Sequence, residues 1–221
     1  EKKGARVFLA ENEFKALEQS TSLKDFALGI MKSLAKLKDG HTELYPSDEV
    51  FGTTNYPIKI GYLTDGYYLL KTSDKYKEYL GKKIVKIHGK DMEEVEEIFS
   101  QVIPLENIVS LKYYLSSKLK EPVLCKELGL NDGGNLVVEF EDGKVLNIEP
   151  SDYNTELISL QKAPVEGRLY WSKILEDAFY FQYNECEEDS DYPISKVIKE
   201  IEGSKLGKVI IDLRFNKGGD S

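Results

Sequence analysis

Lys208-Val209-Ile210-Ile211-Asp212-Leu213-Arg214-Phe215-Asn216-Lys217-Gly218-Gly219-Asp220 opens as a nearly continuous apolar run and closes in polar residues and a glycine pair. A strand covered on both faces loses the polar–apolar alternation, so this run reads as a buried parallel strand. Upstream, Ile194 to Ile201 has the spacing of an amphipathic helix, and Ala178 to Tyr183 reads as a strand. Strand, helix and strand in this order predict one βαβ unit whose helix packs back on the sheet. A lone unit of this kind leaves two edges open and buries little, so the C-terminal module reads as unfinished. Ligands of α/β sheets collect beyond the carboxyl ends of parallel strands, which directs attention to the residues after Leu213.

Working back toward the N-terminus, the pattern changes. Leu23, Phe26, Ala27, Ile30, Met31, Leu34 and Leu37 recur at helical spacing, with Ser22 and Asp25 placed for a capping box and Gly40 where a helix should stop. Phe8 to Leu17 reads as a weaker helix. From Tyr56 onward the period shortens. Ile58 to Leu63 and Tyr67 to Lys71 read as a hairpin over Asp65-Gly66, and Lys83 to His88 as a strand stopped by Gly89. Helices are expected over Asp91 to Val102, Asn107 to Leu119 and Glu121 to Leu128. A second hairpin follows, Asn135 to Phe140 and Lys144 to Ile148 over Asp142-Gly143. Ser151 to Pro164 reads as a linker. The fold class is therefore α+β and multi-module: an N-terminal helical segment (1–50), a hairpin-rich α+β module (51–150) and the start of an α/β core (151–221).

Apolar residues make up 41% and charged residues 31% of the 221, enough to bury a core and too apolar for a disordered chain. A formal charge of -9, with lysines scattered among acids, argues against a nucleic-acid partner, which needs clustered cations. No apolar run could cross a bilayer. The chain opens at Glu1 rather than Met, so it reads as a mature or excised piece, and the missing signal peptide says nothing of compartment. Cys125 and Cys186 lack redox or zinc spacing and read as two free thiols, with a disulfide left open. His41 and His88 are the two histidines, which leaves no imidazole-rich metal site; no metal and no cofactor is expected. His88 beside Gly89 reads as a surface turn residue.

Two runs carry chemistry. Leu37-Lys38-Asp39-Gly40-His41-Thr42 follows the best helix, and Asp212-Leu213-Arg214-Phe215-Asn216-Lys217-Gly218-Gly219 follows the apolar strand. With Tyr180-Phe181-Gln182-Tyr183-Asn184 between them, the chain resembles the C-terminal-processing (tail-specific) and tricorn-core serine peptidases. The resemblance extends to Leu80-Gly81-Lys82-Lys83-Ile84-Val85-Lys86-Ile87-His88-Gly89-Lys90, which is similar to a strand of PDZ-like domains, and to the helix after it. It covers the chain from about Leu23 to its end and implies a PDZ-like middle module and the beginning of a crotonase-like core.

The resemblance implies peptide-bond hydrolysis of peptide or unfolded-protein substrates by way of an acyl-enzyme, outside the cytoplasm, with an oligomer left open. His41 is then a candidate general base, since imidazole accepts a proton near neutral pH. In one branch of the family a Ser precedes this His; here Gly40 does, and in the other branch a Lys is the base. Gly218 and Gly219 are candidates for an oxyanion-hole amide, with a turn after a strand as the structural alternative. Asp212 and Arg214 could be taken for an acid/base pair but read as structural, a polar end to the strand paired with neighbours, and Asn216 reads as a loop-shaping residue. Tyr67-Tyr68 and Tyr113-Tyr114 suit either packing or the lining of a peptide groove. The family's nucleophilic Ser lies in a later segment, and Ser221 stands too early to match it, so this chain alone is expected to be inactive. A non-catalytic peptide-binding protein with a PDZ-like module is the alternative.

Overall fold

A computed structural model describes residues 17–160, 168–216 and 218. The chain divides into two compact units, Glu1–Leu160 and Gln161–Ser221. The expected helix over Phe8 to Leu17 lies outside the described residues except for Leu17.

In the first unit the elements run α1 (Leu23–Ala35), α2 (Asp48–Phe51), β1 (Thr54–Asn55), β2 (Ile58–Leu63), β3 (Gly66–Thr72), β4 (Lys83–Ile87), β5 (Lys90–Asp91), α3 (Met92–Ser100), α4 (Ile108–Lys118), α5 (Pro122–Glu127), β6 (Leu136–Phe140), β7 (Val145–Ile148), β8 (Ser151–Asp152) and β9 (Ile158–Ser159). The main sheet has the order β2-β3-β4-β6-β7, with β5 on β4 and β9 on β3, all antiparallel. Alternation explains its inner face: Leu136, Val138 and Phe140 of β6 are buried while the residues between them are not. Helix α3 begins as its sequence requires, with an Asp91–Glu94 capping box, and buries Met92, Val95 and Phe99 against the sheet.

Several expectations shift. Ser22 Oγ accepts from the Asp25 N–H at 3.1 Å as expected, but α1 buries Ala27, Met31 and Ala35 while Leu23 and Phe26 stay exposed. It ends before Gly40: the left-handed residue is Lys38, at φ 53°. The first hairpin turns one residue early, since Leu63 pairs with Gly66. His88 is not a simple surface residue. It forms a two-residue turn with Gly89, at φ 50° and 76°, and its Nδ1 is buried with no hydrogen-bond partner. Ser151 to Leu160 is not a linker, because β8 pairs with β1 and β9 with β3.

Helix α4 lies along a sheet edge, that of β2. Its buried side chains are Leu111, Leu115, Ser116 and Lys118, and it packs on both α3 and the outer strand β2. Ser116 Oγ donates to the Ile60 carbonyl of β2 at 2.5 Å. Leu111, Leu115 and Leu119 are each at most 3% exposed. Burial of each leucine contributes about 1.5–3 kcal/mol, so the helix is rooted rather than draped.

The second unit carries β10 (Tyr170–Ile174), β11 (Phe179–Tyr183), α6 (Ile194–Ser204) and β12 (Val209–Asp212). Strands β11 and β12 are parallel, which is the expected βαβ unit, and β10 adds antiparallel to β11. The apolar run is not buried, however. Val209, Ile210 and Ile211 are exposed, Ile211 by 60%, because β12 has β11 on one side and the core beneath α6 is built from Tyr170, Phe179, Phe181 and Val197.

Both cysteines are free, Cys125 fully buried and Cys186 half-buried. Burial pushes the Cys125 thiol far up. A thiol-disulfide reagent is therefore expected to modify Cys186 alone in the native protein. Mass spectrometry should find a second modification at Cys125 only after unfolding.

Candidate functional site

The candidate residues fall in both units, and each segment has its own local logic. Helix α1 delivers the His41 loop. Asp39 folds it: its Oδ1 accepts the His41 N–H at 3.2 Å and its Oδ2 accepts from Thr42 Oγ1 at 2.8 Å. Such Asx contacts are what an Asp two or three residues before a turn supplies. Glu106, from the turn before α4, accepts the Gly40 N–H at 3.3 Å. The His41 side chain is 95% exposed, with Nδ1 at 3.8 Å from both Asp39 Oδ1 and Glu106 Oε1. At that distance neither carboxylate is hydrogen-bonded to the ring. Asp39, His41 and Glu106 offer ligand atoms within 4.8 Å of one another. All three are exposed and both carboxylates already serve the loop backbone, so we assign no metal to them.

The loop after β12 is held more tightly. Asp212 is buried and takes a two-pronged ion pair from Arg214, with Nε to Oδ1 at 2.9 Å and Nη2 to Oδ2 at 2.6 Å. It also accepts the Arg214 N–H at 3.0 Å and a hydrogen bond from Tyr180 OH. The Arg214 hydrogen bonds, then that of Tyr180, hold the Asp212 carboxyl well below the usual carboxylate range. A depressed folded pKa means that this stabilisation is present above the unfolded carboxylate value of about 3.9 and is lost as pH falls below it. Asp212→Asn is thus expected to destabilise the protein at pH 7. Urea unfolding at pH 7, 5 and 3 should show the gap to wild type narrowing only at the lowest pH.

Asn216 organises the next turn. Its Nδ2 donates to the Tyr183 carbonyl at 3.0 Å and its Oδ1 accepts the Gly218 N–H at 2.8 Å. The Cys186 N–H in turn donates to the Gly218 carbonyl at 2.8 Å. Gly218 sits at φ 84°, in the region that favours glycine. Its amide hydrogen is therefore spent on Asn216 rather than open to a ligand. Gly219 lies outside the described residues.

The tyrosines divide. Tyr67 is buried and donates to Glu96 Oε1 at 2.8 Å, whereas Tyr113 is exposed on α4. Two partners escaped the sequence: Glu106, remote from His41 in the chain, and Cys186, which contributes a backbone amide and so leaves no trace in residue type.

The fold has a counterpart among solved structures. The chain superposes on mature CPAF complexed with lactacystin with a TM-score of 0.59 at 13% identity, over 97% of this chain and 51% of that one. At this identity the likeness establishes the mixed helix-and-sheet fold, and the chain spans about half the length of that protein. The photosystem II D1 C-terminal processing protease matches over 90% of this chain and 52% of its own, at 15% identity, but with a TM-score of 0.33 too loose to weigh. No protein-family model and no curated protein sequence matches.

Proposed function

We propose that the chain belongs to a serine-type peptidase of the C-terminal-processing kind, which hydrolyses peptide bonds in protein or peptide substrates. The observation that supports this best is the glycine turn at the end of a parallel strand, braced by Asn216 and set on the Asp212–Arg214 pair. Catalysis of acyl transfer needs a backbone amide aimed at the developing oxyanion. With the Gly218 N–H committed to Asn216, that donor is Gly219. His41 is the general base, an exposed imidazole on a loop fixed by its neighbours. The nucleophilic serine is assigned to the portion of the whole protein beyond the match to CPAF.

In this reading residues 51–150 are the PDZ-like module, which would tether an extended substrate segment by adding it as a strand to a sheet edge. Strand addition requires open edge groups; α4 lies along β2 with Ser116 on the Ile60 carbonyl, which leaves β7, the outer strand at the other end of the sheet, as the edge for it. No helix among the described residues is long and apolar enough to cross a membrane.

Cleavage of an unfolded protein by the whole protein, with His41→Ala lowering kcat by at least about 100-fold, is the expected result. Cleavage that survives His41→Ala would remove His41 from the mechanism. Peptide binding with no cleavage would instead identify the non-catalytic alternative.

A further inference from the structure

We infer that helix α4 is a clamp that positions the His41 loop, with Glu106 and Lys118 as its two jaws. The inference rests on the peptidase reading for its catalytic consequence only; the clamp itself is geometric. At the loop's start, Glu106 in the turn entering α4 accepts the Gly40 N–H at 3.3 Å. At its exit, Lys118 at the end of α4 pairs with Glu43, Nζ to Oε1 at 2.5 Å, with side chains only 5% and 10% exposed. His41 is thus bracketed by the residue before it and the residue two after it, both tied to one helix.

A buried ion pair is an unusual way to hold a surface loop. Its members cannot part without leaving a charge out of water, so the pair has essentially one geometry. Lys118 Nζ also lies 5.0 Å from the centre of the Tyr45 ring, the second residue beyond Glu43. Between the jaws, Leu111 and Leu115 anchor α4 in the core, and Ser116 fastens it to β2. The helix is therefore a rigid reference against which the loop is set. The His41 ring has no such restraint of its own, so the position of its backbone decides where the imidazole can reach. A base displaced by about 1 Å loses much of its effect. Glu106, Glu43 and Lys118 act through His41 and are positioning residues.

The test combines amide exchange with imidazole NMR on the protein. Glu106→Ala should speed exchange of the Gly40 amide by about tenfold, the worth of one hydrogen bond. Glu106→Gln, which keeps the accepting oxygen, should restore it. The double variant Lys118→Met/Glu43→Leu removes both charges of the pair together. It should fold, yet broaden or split the His41 imidazole signals and, in the whole protein, lower kcat with little change in KM. Unchanged Gly40 exchange in Glu106→Ala together with a single sharp His41 signal in the double variant overturns the clamp. Loosening seen by NMR with an unaltered cleavage rate supports the clamp and removes His41 from catalysis, so the two readings fail separately.

Discussion

Lys118→Met is expected to destabilise the first unit by about 3–5 kcal/mol, the usual cost of breaking a buried ion pair from one side. Met fills the volume of the lysine stem, so lost packing is not the reason. The reason is Glu43, whose carboxylate is 10% exposed and pairs with Lys118. Without the ammonium that carboxylate stays desolvated without its cation, or is released into water together with its segment. Glu43→Leu added to Lys118→Met should recover most of the loss, because two apolar side chains replace a pair whose attraction barely exceeds its desolvation cost. Urea unfolding of the two single variants and the double closes the cycle. Additive losses would show that the two residues contribute independently and that the pair is incidental.

Asn216→Ala is the second large effect. The side chain donates to Tyr183, accepts from Gly218 and stands 3.7 Å from Cys186 Sγ. Removing it deprives a part-buried carbonyl and an exposed amide of their partner, a loss of about 0.5–1.5 kcal/mol for each bond. The functional loss should be larger. If the turn aims an oxyanion donor, the variant should lose about 100–1,000-fold in kcat, comparable to removing one such donor outright. Asn216→Asp keeps the acceptor for Gly218 and surrenders the donor to Tyr183, so it should fall between wild type and Asn216→Ala. Equal kcat in all three would mean that the turn serves the fold alone.

Much of the architecture was legible because local patterns and final environment agree. Asp91 with Glu94, followed by Met92, Val95 and Phe99, announces α3 and its buried face. The βαβ unit at the C-terminal end was legible for the same reason. The misreadings arise where environment overrides pattern. Val209 to Ile211 reads as buried because β-branched residues usually are, but burial depends on neighbours that a single strand does not encode. The end of α1 was assigned to Gly40 on residue type, whereas the chain turns at Lys38, a residue with no special preference for positive φ. Of the candidate site, the loop-shaping part of Asn216 and the structural role of Asp212 and Arg214 were readable, but not that these two pair with each other. Glu106 and Lys118 were not, since their partners lie more than sixty residues away and the pairs exist only after the helix has docked.

The exposure of β12 has a practical consequence. Val209, Ile210, Ile211 and Leu213 form a short, β-prone stretch without proline on the outer strand of its sheet. Asp212 cannot act as a gatekeeper charge there, because Arg214 and Tyr180 have drawn it inward. An unguarded edge of this kind templates pairing between copies. Concentration during refolding, more than temperature or pH, should set the yield of soluble material from this chain.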